Sequence, residues 1–258
     1  MKRFVKNYIK YRYFLRELIK KDIKLKYRNS VLGVLWTLLE PLLTMLVLVL
    51  VFSSLLGRKT ENYAVFILSG RLIYSFYSGV TKQSLKSIRS NSGMIKKVYV
   101  PKYMYPLSSA FSNYIMFALS LLVLLCVALT QKIYPTVYAF QALYPLAVLF
   151  IIGLGSGMIL SVMNVFFKDV EYLWNIFLML LMYASAIFYQ AESVINETNK
   201  YIFKLNPLYC IINSFRHAVF GTAMESWDVM YSGIFSISVL LIGFIVFIKN
   251  QDKFALHL

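Results

Sequence analysis

The chain has 258 residues, 59% of them hydrophobic and 15% charged, with 27 Lys and Arg against 11 Asp and Glu. A soluble domain of this size is about 45–50% apolar and about 25% charged, so a composition this greasy excludes an ordinary soluble fold and points to lipid as the solvent. The formal charge of +16 is concentrated: eleven basic residues fall between Lys2 and Arg28 and six between Lys82 and Lys102, each group flanking a long apolar run. Anionic headgroups and the excess of Lys and Arg in cytoplasmic loops account for that placement, and a nucleic-acid partner is excluded.

In residues 8–28, Tyr11, Leu15, Ile19, Ile23 and Tyr27 recur every four residues, with Phe14 and Leu18 widening the stripe. Arg12, Arg16, Lys20, Lys24 and Arg28 form the neighbouring ridge. This pattern predicts an amphipathic helix in the headgroup layer, compatible with packing on a partner. The basic opening does not read as a cleaved leader.

Asn29 or Ser30 is placed to cap the next helix. Apolar segment one covers Val31–Leu56, a polar turn follows at Gly57–Asn62, and segment two covers 63–81. Residues 82–103 are polar and basic, with a short helix expected over Ser84–Ser92. Segments three, four and five cover about 104–129, 137–166 and 172–189, the last two separated by Lys168, Asp169 and Glu171. Between 190 and 228 the pattern is mixed, with Pro207, Asn213, Arg216 and His217 inside an apolar stretch. It reads as one or two interfacial or re-entrant helices on the outer face. Segment six covers 229–248.

The expected architecture is therefore all-α and integral to the membrane: an amphipathic helix in 1–30, then six transmembrane helices in 31–258, with short outer re-entrant helices. Twenty of the 27 basic residues fall in 1–30, 82–103, 167–171 and 249–258. That bias predicts that both termini are cytoplasmic.

Catalytic motifs are missing. His217 and His257 lack metal-ligand spacing, Gly57-Arg58-Lys59-Thr60 lacks the ending of a phosphate loop, and Cys126 and Cys210 read as small buried hydrophobes; no metal or cofactor is expected. Gly153, Gly155 and Gly157 lie inside a span and predict close helix packing rather than a nucleotide loop.

Glu40 and Arg71 each lie nine or ten residues into a span, ~14–15 Å deep if each span is straight. Each costs ~2.5–3.5 kcal/mol alone at a span's centre, which predicts that they pair or share a hydrated cavity. Tyr74, Tyr77, Tyr183, Phe188 and Tyr189 cluster toward the outer half of the spans. Interface anchoring is the default reading of such rings; stacking of sugar rings along a conduit is the alternative.

The run from Lys24 to Trp36, continuing through Leu39-Glu40-Pro41-Leu42, then Leu68-Ser69-Gly70, Asn164 to Val170, and Asn206-Pro207-Leu208 followed by Arg216, resembles the permease subunit of polysaccharide ABC exporters. These are the O-antigen, teichoic acid and capsule exporters of the type-2 permease superfamily. The ordered set covers nearly the whole chain.

The resemblance implies the membrane half of an ATP-driven exporter in a bacterial or archaeal inner or plasma membrane, moving a lipid-linked glycan outward. It implies a second copy, two ATPase subunits that hold ATP and Mg, and membrane lipids as partners. Loop 82–103 would hold a coupling helix, with Ser84, Ser87, Arg89, Asn91, Met94 and Ile95, aided by Lys20 and Lys24, facing the ATPase. Trp36, Glu40, Arg71, Tyr74, Tyr77, Tyr183, Phe188, Tyr189, Asn206 and Arg216 would belong to conduit or gate, and 190–228 to outer gate helices.

Arg71 stands where the family usually has an apolar residue, Lys168 where an arginine is common, and Ser185 to Phe188 where a proline usually lies. A drug or lipid exporter, a membrane-embedded enzyme and a docking scaffold are the competing functions. The lack of any acid, base or nucleophile cluster counts against the enzyme.

Overall fold

The computed structural model describes residues 2–55, 62–98, 100–191 and 200–254. Among these residues ten α-helices run in chain order: α1 Lys2–Lys26, α2 Trp36–Val49, α3 Tyr63–Ser90, α4 Ser92–Ile95, α5 Met104–Thr130, α6 Leu143–Phe166, α7 Val170–Ala184, α8 Lys200–Lys204, α9 Pro207–Phe220 and α10 Ser226–Asn250. The described residues contain no strand. Most of the turn expected at Gly57–Asn62, with its Gly-Arg-Lys-Thr run, lies outside the described residues, as do 192–199 of the expected outer helices and His257.

Among the described residues four helical stretches are long and apolar enough to cross a membrane: Gly33–Phe52, Met104–Thr130, Val137–Phe166 and Ser226–Lys253. They coincide with segments one, three, four and six. Segment two becomes α3, 28 residues or about 42 Å long, yet too polar to qualify. It packs against α2, α5, α6, α7 and α9, so its polar side chains meet protein instead of lipid. Segment five becomes α7, whose 15 residues extend about 22 Å, short of the ~30 Å hydrocarbon core. It stops at Ala184, and Ala186 takes a positive φ of 47°, so 185–189 form a turn instead of the end of a span.

The separate helix expected over Ser84–Ser92 is not formed. α3 continues from Tyr63 through to Ser90, Asn91 breaks it at φ −107° and ψ 16°, and the four-residue α4 follows. No proline or glycine interrupts 80–90, and Val80, Leu85 and Ile88 keep the apolar face buried past the expected end of the span.

α1 forms as its periodicity predicts, and its stripe is laid on α5. Leu15 and Leu18 are buried against Met104 and Tyr105, and the rings of Phe14 and Tyr105 meet edge to face at 6.2 Å. Farther along, the Tyr27 hydroxyl reaches the Met116 sulfur at 3.7 Å. α1 therefore climbs beside the first turns of α5. Asn29 turns the chain with φ 63° and Ser30 Oγ accepts the Gly33 N–H at 3.2 Å, but neither caps a helix: the N-cap positions fall at Leu32 and Leu35, without side-chain cap bonds.

α6 is the central partner of both α3 and α10. A Cβ added to Gly153 would lie 2.8 Å from Val80, and one on Gly157 2.7 Å from Ser84, both on α3. A Cβ on Gly155 would lie 2.7 Å from the Leu240 backbone of α10. The three glycines thus serve two crossings, four residues apart on one face and alone on the other.

Candidate functional site

A cleft of about 70 Å³ lies between α2, α3 and α5, lined by Tyr27, Thr37, Glu40, Arg71, Ser75 and Ser120 among others, with Lys26 at its edge. Pro41 organises its α2 wall. Without an N–H, Pro41 leaves the Thr37 carbonyl, four residues back, without its helical donor. Ser120 Oγ of α5 donates to that carbonyl at 3.0 Å, while the Thr37 hydroxyl bonds the Tyr27 hydroxyl at 2.6 Å. The α2 wall at Pro41 is thereby tied to α5 and to the turn that follows α1.

Glu40 and Arg71 line this same cleft, but they form no ion pair; among the described residues the ion pairs are Lys20–Glu17 and Lys86–Glu171. Arg71 lies over the Tyr74 ring, 5.6 Å from its centroid. It shares the cleft with Thr37, Glu40, Pro41 and Thr44 in the first turns of α2. Because α3 runs on to Ser90, Arg71 lies nineteen residues, about 28 Å, from that end of the helix, farther than a span ending at Thr81 implies.

α7 is held at both ends and leaves one face exposed between them. At its start, Lys86 Nζ of α3 meets Glu171 at 2.5 Å, and Trp174 Nε1 donates to Thr81 Oγ1 at 3.0 Å. At its finish, side chains from elsewhere take up the carbonyls that a helix end leaves open. Asn206 Nδ2 donates to Ala184 O at 3.1 Å, and Arg216 donates to Ala186 O at 3.0 Å and Ile187 O at 3.1 Å. Arg216 also bonds Phe66 O at 3.2 Å and stacks 3.5 Å from the Phe66 ring.

Asn206 is at once the N-cap of α9, accepting from the N–H groups of Leu208 and Tyr209, with Pro207 at the first helical position. Gly70 leaves the space that Arg216 fills: a Cβ there would lie 2.8 Å from Nη2. The Leu68-Ser69-Gly70, Asn206-Pro207-Leu208 and Arg216 motifs thus meet at one point. Between its ends α7 exposes Tyr172, Leu173, Ile176, Met179, Leu180 and Tyr183.

The conduit candidates are placed differently from one another. Tyr74 and Tyr77 are buried, their hydroxyls bonded to Leu178 O at 2.9 Å and Ser156 Oγ at 3.2 Å. Phe188 is buried in a parallel stack on Phe52, 5.5 Å between centroids. Tyr189 is half-buried and donates to Tyr183 O. Tyr183 and Trp36 are exposed.

Of the coupling candidates, Ser84 and Ser87 are buried, bonded to Pro106 O and Ser84 O. Met94 and Ile95 lie half-buried against the Leu15 and Tyr105 cluster, and Arg89 is half-exposed. Asn91 accepts from Lys21 Nζ at 2.8 Å. Lys20 is paired with Glu17, and Lys24 is exposed.

Sequence reasoning missed Lys21, Asp22, Lys86, Glu171 and Trp174. Asp22 accepts from Ser108 Oγ at 3.1 Å, and burial pushes its carboxyl above the usual range despite the lowering effects of Ser108, Lys21 and Gln83. Opposite charges at Lys86 and Glu171, each beside a span end, were the available signal for that pair.

The sequence model of the ABC-2 type transporter family matches residues 13–220, from α1 to the last residue of α9. The chain is 26% identical over 236 residues to the O-antigen export system permease protein RfbA of Klebsiella pneumoniae, covering 91% of each chain. It is 27% identical over 259 residues to the Myxococcus xanthus protein of the same name, covering 99% of each. With the polysialic acid transport protein KpsM of Escherichia coli it shares 24% identity over 239 residues, covering 91% of this chain and 92% of that one. With the family pattern running through the cleft, α7 and the Arg216 junction alike, the chain is an integral membrane protein and belongs to the ABC-2 type transporter family.

Proposed function

We propose that this chain is the membrane-spanning half of an ATP-driven exporter that moves a lipid-linked polysaccharide from the cytoplasmic to the outer face of a bacterial or archaeal inner or plasma membrane. The observation that carries this reading is the end-to-end likeness to permease and transport proteins of O-antigen and polysialic acid, with 91–99% of this chain aligned. Two copies form the conduit, and two ATPase subunits supply the work and hold the ATP and Mg.

In this reading α3 is a fifth span, α7 with the turn at 185–189 beyond it completes the sixth, and α8 and α9 lie on the outer side without crossing. The bare face of α7 faces the conduit or the second copy. The end of α3 with α4 meets the ATPase, through Arg89, Met94 and Ile95. Closure of the ATPase dimer then tilts α3, and the Lys86–Glu171 and Trp174–Thr81 contacts pass that motion to α7.

Co-purification from the native host tests the reading. A P-loop ATPase is expected to accompany the chain in equal copies, and Arg89→Ala with Met94→Ala is expected to uncouple its ATP turnover from glycan export. A folded chain that retains no ATPase would remove the mechanism.

A further inference from the structure

Glu40 and Arg71 occupy one cleft without pairing. Five guanidinium N–H donors and a carboxylate inside a bilayer require partners. Lys26, whose ammonium lies 5.7 Å from the Tyr27 ring, adds a second cation at the same cleft. Both Glu40 and Ser75 are exposed, so the cleft opens outward instead of being sealed by protein.

The surroundings of Glu40 are apolar. Trp36, Leu43 and Val47, four residues before and three and seven after it, are exposed on the same side of α2. A ligand that fits both features carries a cation and an anion at one end and hydrocarbon at the other.

We infer that the cleft holds the headgroup of a zwitterionic phospholipid with a primary amine, its phosphate on Arg71 and Lys26 and its ammonium on Glu40. Its acyl chains lie along Leu43 and Val47. The cleft sits in the first turns of α2, where the chain leaving α1 delivers Lys26 and Tyr27. A primary ammonium donates hydrogen bonds to a carboxylate, which a choline headgroup does not; a glycerol headgroup leaves Glu40 facing a phosphate with no intervening cation. The inference rests on the chain being a membrane protein and holds whichever cargo is moved.

The test is native mass spectrometry of the purified protein released from nanodiscs containing equal amounts of ethanolamine, glycerol and choline phospholipids. Retention of the ethanolamine lipid is expected, weakened about ten-fold by Arg71→Gln, the size expected for losing a charge-assisted hydrogen bond. Glu40→Gln is expected to abolish the preference for ethanolamine over choline while leaving phosphate binding. Arg71→Lys is expected to retain binding, and a thermal unfolding trace for each variant separates lost binding from lost fold. Equal retention of all three lipids, or a preference for ethanolamine that survives Glu40→Gln in folded protein, would overturn the assignment.

Discussion

At Pro41 a helix gives up one hydrogen bond and a neighbouring helix replaces it. The Thr37 carbonyl is buried with its residue, and Ser120 Oγ supplies the donor that Pro41 lacks. Ser120→Ala is therefore expected to destabilise by about 1–3 kcal/mol, the cost of an unsatisfied buried acceptor. In a Pro41→Ala background the new N–H meets the same carbonyl, and the cost of Ser120→Ala should fall to a few tenths of that. A double-mutant cycle on thermal or chemical unfolding measures the coupling; additive losses would show that Ser120 acts elsewhere.

The Glu40-Pro41 pair was visible in the sequence, but its partner on α5 was not, because Ser120 is one of many hydroxyls in an apolar run. The same holds at Arg216. Its charge in an apolar stretch marked it, yet the space left by Gly70 and the carbonyls of Ala186 and Ile187 come from two distant helices.

At the scale of elements, α1 was the most legible, since a four-residue stripe beside a basic ridge specifies both the helix and its buried face. What the stripe does not specify is the surface it meets, and that proved to be α5. The docking carries one titratable contact, Asp22 on Ser108. Burial is the largest influence on its carboxyl and raises it above the ordinary 3.8.

The contribution of Asp22 to docking is thus full below that pH and is lost as pH rises through the raised value. Asp22→Asn keeps an acceptor for Ser108 and removes the charge. It is expected to strengthen the protection of α1 amides at neutral pH and flatten its dependence on pH, as read by hydrogen exchange. Unchanged pH dependence would place the titration elsewhere. The run-on of α3 was less legible for a related reason. Lys82, Lys86 and Arg89 are loop-like in composition, but they occupy the outer side of a helix whose other side stays buried through Ile88.

Across the whole molecule, composition and hydropathy sufficed for a helical membrane protein and located the four apolar spans within a few residues. They failed where protein, not lipid, surrounds a helix, as around α3, or where a helix stops short, as in α7. The order of the bundle depends instead on small residues. Gly155 and Gly243 bring α6 and α10 together so closely that a Cβ on Gly243 would lie 2.5 Å from Gly155 O.

Gly155→Leu is expected to force α10 away from α6 and, through overpacking of at least about 1–3 kcal/mol, to lower the unfolding temperature and the yield of folded protein. Substitution of the exposed Leu241 or Ile245 by Val is expected to leave both within error. Equal effects at the two kinds of position would mean that the crossing is not tight.

α3 has one further consequence. It is one continuous helix of 28 residues, about 42 Å long, so a push at one end is carried toward the other. A tilt of roughly 5° about its middle would carry each end about 2 Å in opposite directions, by the same helix rise. Its far end bonds Phe188 O through the Tyr63 hydroxyl at 2.7 Å and holds Arg216 on Phe66. Force applied near Ser90 would therefore emerge at the other end with its sign reversed, as on a seesaw; under the proposed function, two ATPase subunits converging at Ser90 would spread the far side.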